Sequence, residues 1–245
     1  MTFNFSILAL DQIVNSAAKM LYMSGGQYNI PMVIRGPGGP AAQLAAQHSQ
    51  SMETYFYHVP GLKVVRPSTP ADAKGLLKSA IRDDNPVIFI EAETLYAVKG
   101  EVPEDPDFTI PLGQAIVRRE GTDVTVVAYM GMMYRALEVA EELARDGISM
   151  EIVDPRTLRP MDTGTIIASV RKTHRAVVLE AGAGFAGMGS EISAFITENA
   201  FDDLDAPVER VTGENAPMPY ARNLELLKTP SKAKIAAAIR KVCYA

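Results

Sequence analysis

Short uninterrupted apolar runs alternate with stretches whose apolar side chains recur every three or four positions, and that alternation limits the folds open to this chain. From Ser6, the residues Leu10, Ile13, Val14, Ala17 and Leu21 share one helical face until Gly25-Gly26 stops the run. Met32-Val33-Ile34 predicts a short strand ending in the turn-prone Arg35-Gly36-Pro37-Gly38-Gly39-Pro40. Leu62-Lys63-Val64-Val65 and Val87-Ile88-Phe89-Ile90 predict two more strands. Between them Thr69-Pro70-Ala71-Asp72 forms a capping box with proline at the first helical position, ahead of Ala73, Leu76, Leu77, Ala80 and Ile81. Strands that are apolar throughout, separated by amphipathic helices, predict an α/β fold whose mainly parallel sheets are covered on both faces.

From Lys99 to Pro111 the periodicity lapses into Gly, Pro, Asp and Glu, which predicts a linker over 99–111. The alternation then restarts. Strands are expected at Val124-Thr125-Val126-Val127-Ala128, Glu151-Ile152-Val153, Ala176-Val177-Val178-Leu179 and Val208-Glu209-Arg210-Val211. A helix carrying Tyr134, Leu137, Ala140 and Leu143 ends at Asp146-Gly147, and a last one carries Ile235, Ala238, Ile239 and Val242. The chain therefore divides into units over 1–98 and 112–245, the first with few strands and so incomplete.

Composition narrows the function. The net charge of −5 disfavours nucleic acid, because phosphate binding wants a basic face. No apolar stretch is long enough for a membrane span, and Met1–Ser6 lacks the basic start of a signal peptide. A soluble compartment is expected, cytoplasmic or an organelle matrix. With Cys243 as the one cysteine, no internal disulfide can form, and the three histidines do not suggest structural zinc.

Gly182-Ala183-Gly184-Phe185-Ala186-Gly187 matches GxGxxG after a predicted strand and before a helix carrying Ile192, Phe195 and Ile196. A nicotinamide-dependent oxidoreductase would use such a loop. An acidic residue at the end of the next strand is poorly supplied, and the motif lies inside its unit instead of opening it. The motif is therefore read first as glycines that let a helix pack tightly on the sheet, with a surface loop at its start. Met130-Gly131-Met132-Met133 reads as a strand-to-helix connection with adaptable packing.

Several ordered segments carry a resemblance. They are Met1-Thr2-Phe3-Asn4-Phe5-Ser6, Tyr22-Met23-Ser24-Gly25-Gly26-Gln27, Ala45-Ala46-Gln47-His48-Ser49-Gln50, Pro60–Val65, Ala80-Ile81-Arg82-Asp83-Asp84-Asn85-Pro86 and Asp154-Pro155-Arg156-Thr157-Leu158-Arg159-Pro160. In order and spacing the chain resembles the beta subunits of thiamine-diphosphate-dependent 2-oxo acid dehydrogenases, the pyruvate type in particular. The resemblance implies a partial transketolase-type pyrimidine-binding domain followed by a transketolase C-terminal domain. It also implies an alpha subunit holding most of the diphosphate and magnesium, a second beta subunit, and a dihydrolipoyl acyltransferase core that accepts the acyl group. Family members carry a segment before the first motif with a glutamate that activates the cofactor. That residue has no counterpart in the sequence, so the stretch alone is expected not to activate thiamine diphosphate.

Residue by residue, the resemblance assigns Phe5 to the face of the aminopyrimidine ring, which suits an aromatic side chain. It assigns His48 to the active site, where an imidazole can donate to the substrate or move a proton. Met32, Ala80, Ile81, Asp83 and Asn85 match a monovalent-cation site, with potassium as the expected ion, Met32 acting through its carbonyl because a thioether is soft. An ordinary helix end before Pro86 would show the same Asp and Asn. His58 and His174 read as structural, the latter at a cationic helix end. Beside a pyruvate-specific catalytic subunit stand three alternatives: a branched-chain 2-oxo acid or acetoin dehydrogenase subunit, a non-catalytic assembly protein of the complex, and the nicotinamide oxidoreductase.

Overall fold

A computed structural model describes residues 2–245; Met1, which opens the first quoted motif, lies outside the described residues. Among the described residues nine strands form two sheets. They are β1 (Val33–Pro37), β2 (Lys63–Val65), β3 (Val87–Glu91), β4 (Ile116–Arg119), β5 (Val124–Ala128), β6 (Met150–Asp154), β7 (Thr157–Arg159), β8 (Ala176–Ala183) and β9 (Glu209–Gly213). The first sheet has the order β1-β3-β2-β7, parallel except for β7, and the second the order β4-β6-β5-β8-β9, parallel except for β4.

β7 ties the two expected units together. It lies beyond the linker in sequence but pairs antiparallel with β2, so the second unit supplies the fourth strand of the first sheet. Three residues with no apolar run around them carry too little periodicity to announce a strand. A second difference is at β1, where the expected turn at Arg35 is still strand as far as Pro37. Proline is tolerated there because β1 is an edge strand.

Three apolar layers result. Helix Pro70–Ile81 buries Leu76 and Ala80 on one face of the first sheet, against Val65 and Phe89. The segment expected as a bare linker joins that layer through Ile110, whose carbonyl accepts a hydrogen bond from Ser79 Oγ at 2.6 Å. Complete burial of one leucine such as Leu76 stabilises the fold by roughly 1.5–3 kcal/mol. On the second sheet, helices Gly131–Ala144 and Lys232–Cys243 cover one face through Ala136, Leu143, Ile235 and Ile239. The third layer is shared. Helices Thr163–Thr173 and Met188–Ala200 bury Ile166 and Ile192 in a core that continues through Leu158 to Phe3, Phe56 and Val64 of the first unit.

This order places a crevice. β6 and β8 lie on opposite sides of β5, so the chain reverses its direction of winding between β5 and β8. In open α/β sheets, ligands gather at the carboxyl ends of the strands flanking such a reversal. Here the position is bordered by Tyr129 and Met130 after β5 and by Glu180 to Gly187 along and after β8. Among the described residues, no helix is long and apolar enough to cross a membrane.

Candidate functional site

The segment Phe3–Ala9 begins a helical run that passes through a wide π turn at Gln12–Ala17 into Ala18–Met23. Its first turn sends two aromatic rings in different directions. Phe3 is buried and packs edge-on against Phe56, with centroids 5.4 Å apart and planes at 77°. Phe5 is half-buried, its ring 5.1 Å from the His48 imidazole and tilted by 55°. The structure thus brings together Phe5 and His48, which the sequence separates widely.

The end of β1 and the loop after it make this approach possible. A Cβ on Gly36 would stand 3.3 Å from Phe3 Cδ2, and one on Gly38 only 2.9 Å from Ile90. Without those side chains the loop lies flat: Gly38 N–H donates to Glu91 O and Gly39 N–H to Gln50 O, both at 2.8 Å. The second bond ties the loop to the segment bearing His48. Thr2 Oγ1 lies 3.1 Å from His48 Nδ1, leaving Nε2 as the ring nitrogen with a free position.

Around the pair are polar groups that sequence reasoning missed. Asn4 is buried with both amide atoms unpaired, and the Ser6 hydroxyl is also buried without a partner; the Ser49 hydroxyl, equally unmet, borders a neighbouring cavity. Each such group costs roughly 1–3 kcal/mol if nothing meets it. Unpaired amide and hydroxyl groups beside an aromatic face suit a flat heterocycle with ring nitrogens and an exocyclic amine. No periodicity marks such residues; the signal for them is the motif in which they sit.

The proposed cation ligands converge less openly. Ala80 and Ile81 end helix Pro70–Ile81, and Asp83 and Asn85 follow in the turn. Met32 O accepts from Val87 N–H at 2.8 Å and so stands beside this turn. Asp83 Oδ1 accepts from the Asn85 backbone and side-chain amides, each at 2.9 Å, and Oδ2 pairs with the Lys63 ammonium. Burial pushes the Asp83 carboxyl up, but those bonds outweigh it and hold it below its ordinary value. The negative charge a cation would seek is therefore already answered by Lys63.

Two polar clusters join the units. In the first, Arg118 pairs with Asp72 and, at 2.9 Å, with Asp154, while Arg156 Nη1 reaches Asp72 Oδ1 at 3.5 Å. Asp72 is the capping-box residue foreseen in the sequence, and its N–H donates to Thr69 Oγ1 at 3.1 Å. In the second, the Arg66 guanidinium donates to Glu53 Oε2 at 2.8 Å and lies 5.8 Å from the centroid of the Tyr129 ring. Tyr129 OH points to Glu53 Oε1 at 3.5 Å. Burial raises the Tyr129 hydroxyl well above its ordinary value, and Glu53 adds to the effect.

Glu180 belongs to this second cluster and explains the glycine loop. Its carboxyl lies under the N-terminus of helix Met188–Ala200, where a Cβ on Gly187 would come within 2.6 Å of Oε2. The place a phosphate would take in a dinucleotide site is filled by the chain's own acid, and the glycine at 187 makes room for it. Burial pushes Glu180 up to about 7, with the Gly189 amide opposing and Glu53 reinforcing.

Comparison with known proteins agrees with this architecture. The transketolase pyrimidine-binding domain matches residues 1–99 and the transketolase C-terminal domain residues 113–235. The pyruvate dehydrogenase E1 component subunit beta of Rhizobium meliloti (strain 1021) is 54% identical over 245 residues, which are 100% of this chain and 53% of the relative. That of Rickettsia felis is 52% identical over 244 residues, 100% of this chain and 74% of the relative. The chain thus spans between about half and three quarters of the length of these two relatives. A solved structure described as a split gene transketolase, inactive beta4 tetramer, superposes with a TM-score of 0.76 at 23% identity, covering 99% of this chain and 74% of that one, and shows the shared fold.

Proposed function

This chain belongs to the family of pyruvate dehydrogenase E1 beta subunits, and from that premise we propose that it works as the beta subunit of a thiamine-diphosphate-dependent 2-oxo acid dehydrogenase acting on pyruvate. One observation carries the reading: Phe5 and His48 converge beside the buried, unpaired polar atoms of Asn4 and Ser6. When bound, thiamine diphosphate supplies the chemistry that lets a 2-oxo acid lose carbon dioxide. Phe5 offers its face to the aminopyrimidine ring. Asn4 and Ser6 meet polar atoms at the ring's edge. His48 holds or moves a proton at Nε2, with Thr2 fixing the imidazole through Nδ1.

Other parts of the site belong to partners in this reading. The alpha subunit holds diphosphate and magnesium; among the described residues, no three His, Cys, Asp or Glu side chains group closely enough for a metal. An interface on the first unit is supported by exposed Leu8, Tyr22, Met23 and Tyr28 and by the open edge of β1. Such a face, apolar and next to an unpaired strand edge, is what a partner would cover. A second beta subunit and the dihydrolipoyl acyltransferase core complete the assembly, in the cytoplasm or an organelle matrix. A potassium ion would brace the turn after helix Pro70–Ile81 through carbonyls of Met32, Ala80 and Ile81 and oxygens of Asp83 and Asn85, sharing Asp83 with Lys63.

The test is to produce the chain together with its alpha partner and measure pyruvate-dependent acetyl transfer to lipoamide with thiamine diphosphate and magnesium. His48→Ala is expected to lower turnover by about 100-fold or more while the complex still assembles. Faster turnover of branched-chain 2-oxo acids or acetoin would move the substrate. Assembly without any turnover would leave a non-catalytic role.

A further inference from the structure

A cavity of about 480 Å³ lies between the two units, bordered by Ser49, Glu180, Phe185, Met218 and Lys228 among others. Neither Phe5 nor His48 lines it, although Gln47 and Ser49 on either side of His48 do, and its size falls within that of small-molecule sites.

Two polar groups on its walls are buried without partners, and a third wall residue carries an ammonium. Glu180 is 3% exposed and Oε1 makes no hydrogen bond. Ser49 is 6% exposed and its hydroxyl is equally unmet. Lys228 is 8% exposed, and burial holds its ammonium below the ordinary lysine value, with the Glu214 carboxylate opposing. Glu180 and Lys228 do not reach each other. Two oppositely chargeable groups that share one cavity without pairing, each disfavoured in its charged form by burial, are costly to keep there. A molecule carrying both charges would answer both. Met218 and exposed Phe185 add an apolar surface, with a thioether and a ring that both favour aromatic neighbours.

We propose that this cavity binds a free zwitterionic amino acid with an apolar side chain. Its carboxylate meets Lys228 Nζ, its ammonium meets Glu180 and Ser49 Oγ, and its side chain lies against Met218 and Phe185. The neighbours facing Glu180 are Glu53 and Tyr57 from helix Glu53–Tyr57, Tyr129 after β5, Arg210 of β9, and the Met188 and Gly189 amides. An ammonium added to this group favours the ionised carboxyl, so binding releases protons near neutrality and tightens from about pH 6 to about pH 8.

The experiment is calorimetric titration of L-phenylalanine into the intact complex, beside 3-phenylpropionate, which lacks the ammonium, and 2-phenylethylamine, which lacks the carboxylate. Saturable binding is expected, about tenfold or more tighter than either analogue. Glu180→Gln should erase the advantage over phenylpropionate, and Lys228→Met the advantage over phenylethylamine, with acetyl transfer retained in both. Equal binding of the three compounds, no saturation at millimolar concentration, or simple competition with pyruvate would overturn the proposal. Because the readout is binding, the result stands apart from whether the complex turns over pyruvate.

Discussion

The two polar clusters that join the units are built from the same kinds of residue but balanced differently. The one around Asp72 sets two carboxylates, Asp72 and Asp154, against two guanidiniums, Arg118 and Arg156. The one around Glu53 sets two acids, Glu53 and Glu180, against Arg66, which is committed to Glu53, and Arg210 makes no direct pair with Glu180. A balanced buried network fixes two parts in one arrangement, because removing any member strands the others. An unbalanced one leaves a group that can change its charge near neutral pH. The first cluster reads as a rivet and the second as a responsive joint.

That contrast can be broken most forcefully at Asp72. Asp72→Ala leaves buried Arg156 without its carboxylate and Arg118 with Asp154 alone, and should destabilise the chain by about 3–5 kcal/mol, with loss of the helix cap included. Urea unfolding measures it; a loss below about 1 kcal/mol would remove the rivet. Next in size is Glu180→Gln, whose sign depends on pH. The carboxyl titrates near 7 in the fold against an ordinary value of 4.5. The neutral form is therefore accommodated at low pH, a penalty builds as pH rises from about 4.5, and it is complete above about 7. Glutamine escapes that penalty, so the variant should gain up to about 3 kcal/mol over the parent at pH 8 and almost nothing at pH 4. A pH-independent difference would place Glu180 with the rivet after all. The smallest effect belongs to Gly187→Ala, whose new methyl meets the Glu180 carboxyl; it should cost about 1–3 kcal/mol, read from the thermal midpoint.

What the sequence revealed follows where local signals and tertiary roles coincide. The capping box at Thr69 and Asp72 was legible because its two hydrogen bonds are local, and the structure makes both. The second role of Asp72, facing Arg118 from beyond the linker, was not legible, since no spacing rule links positions so far apart. The long apolar strands declared themselves, whereas β7 did not, because its strand character comes from pairing with β2 and not from its own residues. The glycine run at Gly182–Gly187 was visible as a motif, but its purpose depends on Glu180 lying beneath it. At the candidate site, Phe5 and His48 were read through resemblance to a family. Asn4, Ser6 and Ser49 emerged only when burial showed their polar atoms unmet.

β7 also orders events in time. A nascent chain is extended from its N-terminus, so β1, β2 and β3 are made well before Thr157–Arg159. Until those three residues arrive, the β2 side of the first sheet presents an unpaired row of amides and carbonyls, an invitation to join a neighbouring chain. Closing that edge waits on a contact spanning roughly ninety positions, the type of long-range pairing that slows folding. The first unit is accordingly an unfinished product during synthesis, and a fragment cut at the linker would keep that exposed border for good. Antiparallel pairing by a borrowed strand thus makes the first half of this molecule depend on the second for protection as well as for shape.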